Sequence, residues 1–149
     1  MLANISMSRM GSTDFWQASL RFVYNFLLMP DMHKTINFER QNVFIIYIYQ
    51  IYLERPMPKL VDELMKNLTL VALSKNKWLI AEINSLCYCL SRSRIGDDEI
   101  WYALESKIIG INMNKNFDID STQKLRKIYL NFKRMKKGSF RFMNKMGKF

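Results

Sequence analysis

The sequence predicts an all-α protein of about seven helices, packed as stacked hairpins into a short α-solenoid with a repeat of about 40 residues. Three observations carry that prediction. Gly and Pro number only 5 and 3 in 149 residues, too few for the tight turns of an all-β fold. Apolar residues recur at spacings of three and four in one segment after another, the period of a helix buried along one side. Those segments come in pairs, and the apolar positions of one pair overlay on those of the next when shifted along the chain.

With 149 residues and 49% hydrophobic content the chain supplies one core, so residues 1–149 are expected to form a single domain. The longest apolar run, VFIIYIYQIYL from Val43 to Leu53, is far short of the roughly 18 residues that a membrane-spanning helix needs. Two cysteines, Cys87 and Cys89, are too few for a disulfide framework.

Taken in order, the first helix is expected from about Thr13 to Met29, with Phe15, Trp16, Leu20, Val23, Tyr24 and Leu27 at helical spacing and Pro30 as its stop. Asp14 is the only acid before Pro30, a composition shared with transit peptides, but the apolar spacing from Thr13 reads as a folded helix. Asp31 to Asn37 is polar and reads as a loop. Phe38 to Leu53 is rich in β-branched and aromatic residues; its length, and the lack of a matching strand elsewhere, favour a helix buried on most sides. Arg55-Pro56-Met57-Pro58 breaks it, and Pro58 suits the first turn of a helix that carries Leu60, Leu64 and Leu68 to about Leu73.

The next pair starts near Lys77 or Trp78, with Leu79, Ile83, Leu86, Cys87 and Leu90 as one stripe. Gly96 allows a sharp exit, and Asp97, Asp98 and Glu99 place acceptors and negative charge at the start of a helix carrying Ile100, Trp101, Leu104 and Ile108. Gly110 ends it, and Ile111 to Asn116 reads as a linker. In the last pair Asp120 and Gln123 have capping-box spacing, Leu125, Ile128, Tyr129, Phe132 and Met135 form the stripe, and Gly138-Ser139 turns into a short helix with Phe142, Met143 and Met146.

An offset of 40 carries Val43, Ile46, Tyr47, Leu60, Leu64 and Leu68 onto Ile83, Leu86, Cys87, Ile100, Leu104 and Ile108. A further offset of 42 carries Ile83, Leu86, Cys87 and Leu90 onto Leu125, Ile128, Tyr129 and Phe132, and Gly96 onto Gly138, with a poorer match in the second helix. Helix, turn and helix at this period is the pattern of α-solenoids, where each hairpin buries its open face against the next.

The stretch NSLCYCLSRSRIGDDEIWYALESKI, from Asn84 to Ile108, resembles the helical-hairpin repeat of the organellar heptatricopeptide, octotricopeptide and FAST-kinase-like proteins. The resemblance covers one repeat well and its neighbours loosely, and its motif is mostly leucine spacing. It implies a mitochondrial or plastid α-solenoid that binds RNA, in some cases as part of a divergent mitochondrial ribosome. The sequence departs from those proteins in being short and in showing no recognisable RAP-type domain in its last residues.

Charge gives the strongest functional signal. The formal net charge of +10 is not spread along the chain: residues 1–120 hold as many acids as bases, whereas 121–149 hold ten bases and no acid. Such a partition points to a local anionic partner. Lys124, Arg126, Lys127, Lys133, Arg134, Lys136 and Lys137 surround the apolar stripe of the Ser121–Lys137 helix, and Arg141, Lys145 and Lys148 continue the pattern in the hairpin of 121–149. These ten are the candidate RNA-binding residues, suited to phosphates by counterion release. An acidic protein or lipid surface is the alternative partner. Among the aromatics between them, Tyr129 and Phe132 are expected in the core and Phe140 and Phe149 to be freer to stack on bases. Arg92 and Arg94 would add a second basic point, with Asp97, Asp98 and Glu99 near enough to neutralise it.

The residues give little support to catalysis. Cys87 and Cys89 lie two apart, about 200° around a helix, so they do not share one metal and read as buried thiols. His33 is the only histidine, and the chain has no nucleophile elbow, phosphate-binding glycine loop or zinc-protease motif. No enzyme activity, metal or cofactor is therefore expected. Charge and resemblance together suggest a structural subunit of a mitochondrial ribosome, in the matrix, touching ribosomal RNA through its basic end and neighbouring proteins through its hairpin faces. Two alternatives are an RNA-free accessory subunit of a respiratory or other mitochondrial complex, and a free organellar RNA-processing factor.

Overall fold

The computed structural model describes residues 38–53, 59–111 and 117–149, and every regular element among them is a helix. In chain order these are α1 (Phe38–Tyr52), α2 (Lys59–Lys75), α3 (Ile80–Ser93), α4 (Asp98–Ile109), α5 (Ile119–Met135) and α6 (Phe140–Met146). The expected helix from Thr13 to Met29, the loop with His33, the Arg55–Pro58 break and the linker residues 112–116 lie outside the described residues. Six of the expected seven helices are thus in view. None of them is long and apolar enough to cross a membrane.

Local chemistry sets most helix starts. Asp97 caps α4 by accepting the Ile100 amide at 3.2 Å, and Ser139 caps α6 by accepting the Phe142 amide at 3.2 Å. The start of α5 differs from the expected capping box: Asp118, not Asp120, is the cap, accepting the Ser121 amide at 2.7 Å. Asp120 falls inside the first turn, where Lys124 reaches it at 2.6 Å, one turn along. The helix expected to start near Lys77 or Trp78 begins at Ile80, because Leu79 is extended and donates its amide to Glu82. Trp78 instead plugs the connection, buried, with its indole N–H on the Ala72 carbonyl at 2.9 Å.

The helices pack every second one together. α3 lies against α1 on one side and α5 on the other, and α2 lies against α4, while α1 also meets α2 and α5 meets α6. The shared core runs through Ile45, Met65, Ile83, Leu86, Leu90, Trp101, Leu104, Leu125, Ile128 and Phe132, each almost fully buried. Burying one such aliphatic side chain is worth about 1.5–3 kcal/mol. Trp101 meets Phe132 edge-on with ring centres 4.8 Å apart, and Phe132 meets Phe142 at 4.9 Å, so three helices share one aromatic contact chain.

Burial corrects the register of the first pair. Val43 and Tyr47, expected on the core stripe, are exposed, and Ile45, Ile48 and Tyr49 are buried in their place. The matching offset between Ile45, Ile48, Tyr49 and Ile83, Leu86, Cys87 is 38, and between Met65, Thr69, Ala72 and Trp101, Glu105, Ile108 it is 36. The physical reason is that α1 is apolar on nearly every side, so its own pattern does not choose a face. The offset of 42 holds from α3 to α5, and it extends into the second helices, where Ile100 and Leu104 match the buried Phe142 and Met146.

The two turns 42 residues apart are alike in backbone. Arg94 and Lys136 both adopt the left-handed conformation, at φ 52° and 55°, and Gly96 and Gly138 follow at 89° and 96°. Ile95 and Lys137 each donate their amide five residues back, to the Leu90 and Phe132 carbonyls, which closes the end of α3 and of α5 in the same way. A Cβ on Gly96 would lie 3.2 Å from the Trp101 indole nitrogen, so the close approach as well as the torsion calls for glycine.

A polar cluster fixes the α2–α3 connection. Asn76 donates its side-chain amide to Gln41 Oε1 and Asn42 Oδ1, both at 3.1 Å, and Asn42 donates to the Lys77 carbonyl at 2.8 Å. Lys107 of α4 donates to the Asn76 carbonyl. All three amide side chains are buried, so this network replaces water with fixed partners.

Candidate nucleic-acid interface

The ten cations of residues 121–149 divide by environment. Lys124 is half-buried and paired with Asp120, and Lys137 is half-buried and paired with Asp98 at the start of α4. Arg126, Lys127, Lys133, Arg134, Lys136, Arg141, Lys145 and Lys148 are exposed, and no acid among the described residues pairs with any of them. The helix itself explains this. Leu125, Ile128 and Phe132 point inward, and each exposed cation of α5 lies one or two residues from one of them, which swings it 100° or 200° away.

The structure does not gather the cations into one patch. Lys127 borders an open groove of about 420 Å³ whose other walls include Gln50 and Leu53 of the first hairpin, Asn84 and Tyr88 of α3, and Leu130 and Asn131 of α5. Arg141 and Lys145 border a smaller hollow of about 220 Å³ between α6 and the end of α4. Lys124 borders a third, wider groove of about 1030 Å³, along with Lys77, Lys107 and Tyr102. Arg126, Lys133 and Arg134 stand on the outer side of α5 away from these hollows.

The aromatics sort as follows. Phe132 is core, and Tyr129 is half-buried against it, as their spacing predicts. Phe140 is 88% exposed. Phe149, expected to be freer, packs on Phe117 with ring centres 6.1 Å apart and is half-buried. Leu130 was not singled out by sequence, yet it is 53% exposed in the middle of the cationic side of α5. Its place between Arg126 and Arg134, one turn from each, was the available signal.

The acids at the middle turn form no ion pair with Arg92 or Arg94. Asp97 pairs with Lys66 of α2, Glu99 lies 3.5 Å from the same ammonium, and Asp98 pairs with Lys137. Arg92 instead lies over the Tyr88 ring, 5.5 Å from its centre. Partial burial tends to raise the Asp97 carboxyl, but the hydrogen bonds from Lys66 and from the Ile100 amide outweigh it and hold the group below its ordinary value. Lys66 is raised in turn by the hydrogen bond to Asp97.

Both thiols are buried. Burial pushes Cys89 up to about 11 and raises Cys87 further, with the neighbouring Cys89 adding to the effect. No group of three or more His, Cys, Asp or Glu among the described residues is placed to hold a metal ion. Chemically, the surface of α5 offers exposed cations around an apolar point, an arrangement that attracts polyanions.

Comparison of the chain with protein-family models, with curated proteins and with solved structures finds no match in any of the three.

Proposed function

We propose that the chain is a non-catalytic structural subunit of a mitochondrial ribosome, built as a short stack of helical hairpins and docked on ribosomal RNA by its basic end. The observation that carries this reading is the set of eight exposed cations without acidic partners among the described residues, in a segment of 29 residues that has no acid at all. Sequence-tolerant attachment to phosphate needs no more than that. The pairing of α1 with α3, α3 with α5, and α2 with α4 supports the stacked-hairpin reading, as does the turn that recurs at 42 residues. The hairpin faces, with Tyr102 and Leu79 exposed around the groove of about 1030 Å³, are the surface offered to neighbouring proteins. Placement in the mitochondrial matrix rests on the likeness of Asn84–Ile108 to organellar hairpin repeats.

Copurification tests the reading. Tagged protein recovered with its assembly should be released by RNase. Retention after complete RNA digestion would rule out RNA docking and favour an RNA-free accessory subunit instead.

A further inference from the structure

The exposed cations of α5 form two rows with an uncharged strip between them, on which Leu130 is an apolar ridge. Arg126 and Lys133 are seven residues apart, about 10.5 Å along the axis and within about 20° of one direction around it; Lys127 and Arg134 are a second pair with the same relation. The rows lie about 100° apart, which puts their tips on the order of a nanometre from one another. Between the rows stand Leu130 and Gln123, both exposed and uncharged. All four cations sit on one continuous helix of 17 residues, so their spacing is set by the backbone and not by loop movement.

A ligand that satisfies this arrangement carries two tracks of negative charge with a less charged depression between them. A single strand offers one track. A double helix offers two, and in A-form RNA the groove between them on the minor side is wide, shallow and lined by 2′-hydroxyls and base edges, open to a convex ridge. We propose that α5 seats its Leu130 ridge in the minor groove of double-helical RNA, with Arg126 and Lys133 on the phosphates of one strand and Lys127 and Arg134 on those of the other. This rests on the RNA-docking reading above and narrows it to paired RNA. The contact is read by shape, so it is independent of base sequence.

The test uses the full chain and three probes: a short RNA duplex, one of its strands alone, and a DNA duplex of the same sequence, each titrated across a range of salt. Engaging both rows on a duplex predicts at least about tenfold tighter binding to the RNA duplex than to the single strand at equal salt. It also predicts that R126A/K133A and K127A/R134A each flatten the slope of log affinity against log salt by about two. L130E should abolish binding to the RNA duplex while circular dichroism shows the helices intact. Equal or tighter binding of the single strand, equal binding of the DNA duplex, or loss of slope from only one of the two double variants would overturn the seating and leave RNA docking standing. Absence of binding to either form of RNA would overturn both.

Discussion

Glu105 of α4 accepts two hydrogen bonds from Ser139, one from its amide at 3.0 Å and one from its hydroxyl, while that hydroxyl accepts the Phe142 amide and so caps α6. Glu105 is only 6% exposed, so this carboxylate and the start of the last helix depend on each other. An equivalent tie exists one turn earlier, where Lys66 of α2 holds Asp97, the cap of α4. Each cap is thus anchored by a side chain of the preceding helix in its row.

Removing either partner of the Ser139 tie should loosen α6. Ser139→Ala takes away the cap and is expected to cost about 1 kcal/mol, a melting shift of about 2–4 °C for a chain of this length. Glu105→Ala leaves the Ser139 amide without its partner and should cost about 1–3 kcal/mol. In the double mutant the losses should sum to less than the two singles, and thermal denaturation of the four proteins of the cycle checks this.

The paired turns give a test of opposite signs. Gly96→Ala meets both a positive φ and the Trp101 ring and should destabilise by about 1–2 kcal/mol or more. Lys136→Gly, at a left-handed position that a side chain only tolerates, should stabilise by several tenths of a kcal/mol. Urea midpoints at constant m-value read both changes; a stabilised Gly96→Ala protein would contradict the turn described.

The Lys66–Asp97 pair predicts a pH window. Asp97 is held below its ordinary value, so its contribution is complete above the unfolded carboxyl range and is lost as pH falls through the lower, folded value. Lys66 is raised, so its share is complete below the ordinary lysine range and is lost as pH rises through the higher, folded value. Asp97→Asn should therefore lower stability at neutral pH and differ little from wild type under strong acid. Chemical denaturation at pH 7 and pH 2.5 distinguishes this from a pH-independent packing loss.

Charge removal should sort the ten cations. Lys133→Gln is expected to lower the salt slope of RNA binding by about one. Lys124→Gln and Lys137→Gln, whose ammonium groups already face Asp120 and Asp98, should change it much less. Equal effects at all three positions would mean that these ion pairs open on binding.

Thiol chemistry offers a fifth readout. At pH 8 a thiol raised to about 11 is thiolate in roughly one molecule in a thousand, and Cys87 is held higher still. A maleimide or disulfide reagent should therefore label neither cysteine in the native chain and both after denaturation.

The all-α class was legible in the sequence because α3, α4 and α5 each carry a single apolar stripe between polar flanks, and most of their buried residues are those the stripes name; Leu79 is exposed instead, Tyr129 and Met135 are half-buried, and Cys89, Ser91 and Glu105 are buried besides. The register of α1 was not legible. Ile45, Ile46, Tyr47, Ile48 and Tyr49 offer no polar side to exclude, and only contact with α2 and α3 decides that Tyr47 faces out. The Gln41–Asn42–Asn76 cluster was also hidden, since amide side chains signal surface until a partner 34 or 35 residues away is seen to meet them. Among the cations, sequence named all ten but did not separate Lys124 and Lys137 from the rest; for Lys137 the acid that engages it belongs to a different helix, 39 positions back.

The ridge of α5 has a colloidal consequence. With a net charge of +10 concentrated toward one end, two copies that approach through this helix bring like charges together around Leu130, an exposed apolar point there. Repulsion of that kind acts within a Debye length of about 8 Å at physiological salt, close to the distance at which helices would begin to pack. Helix α5 thus insulates the chain from its own kind, and does so with the same side chains that would draw it onto a polyanion.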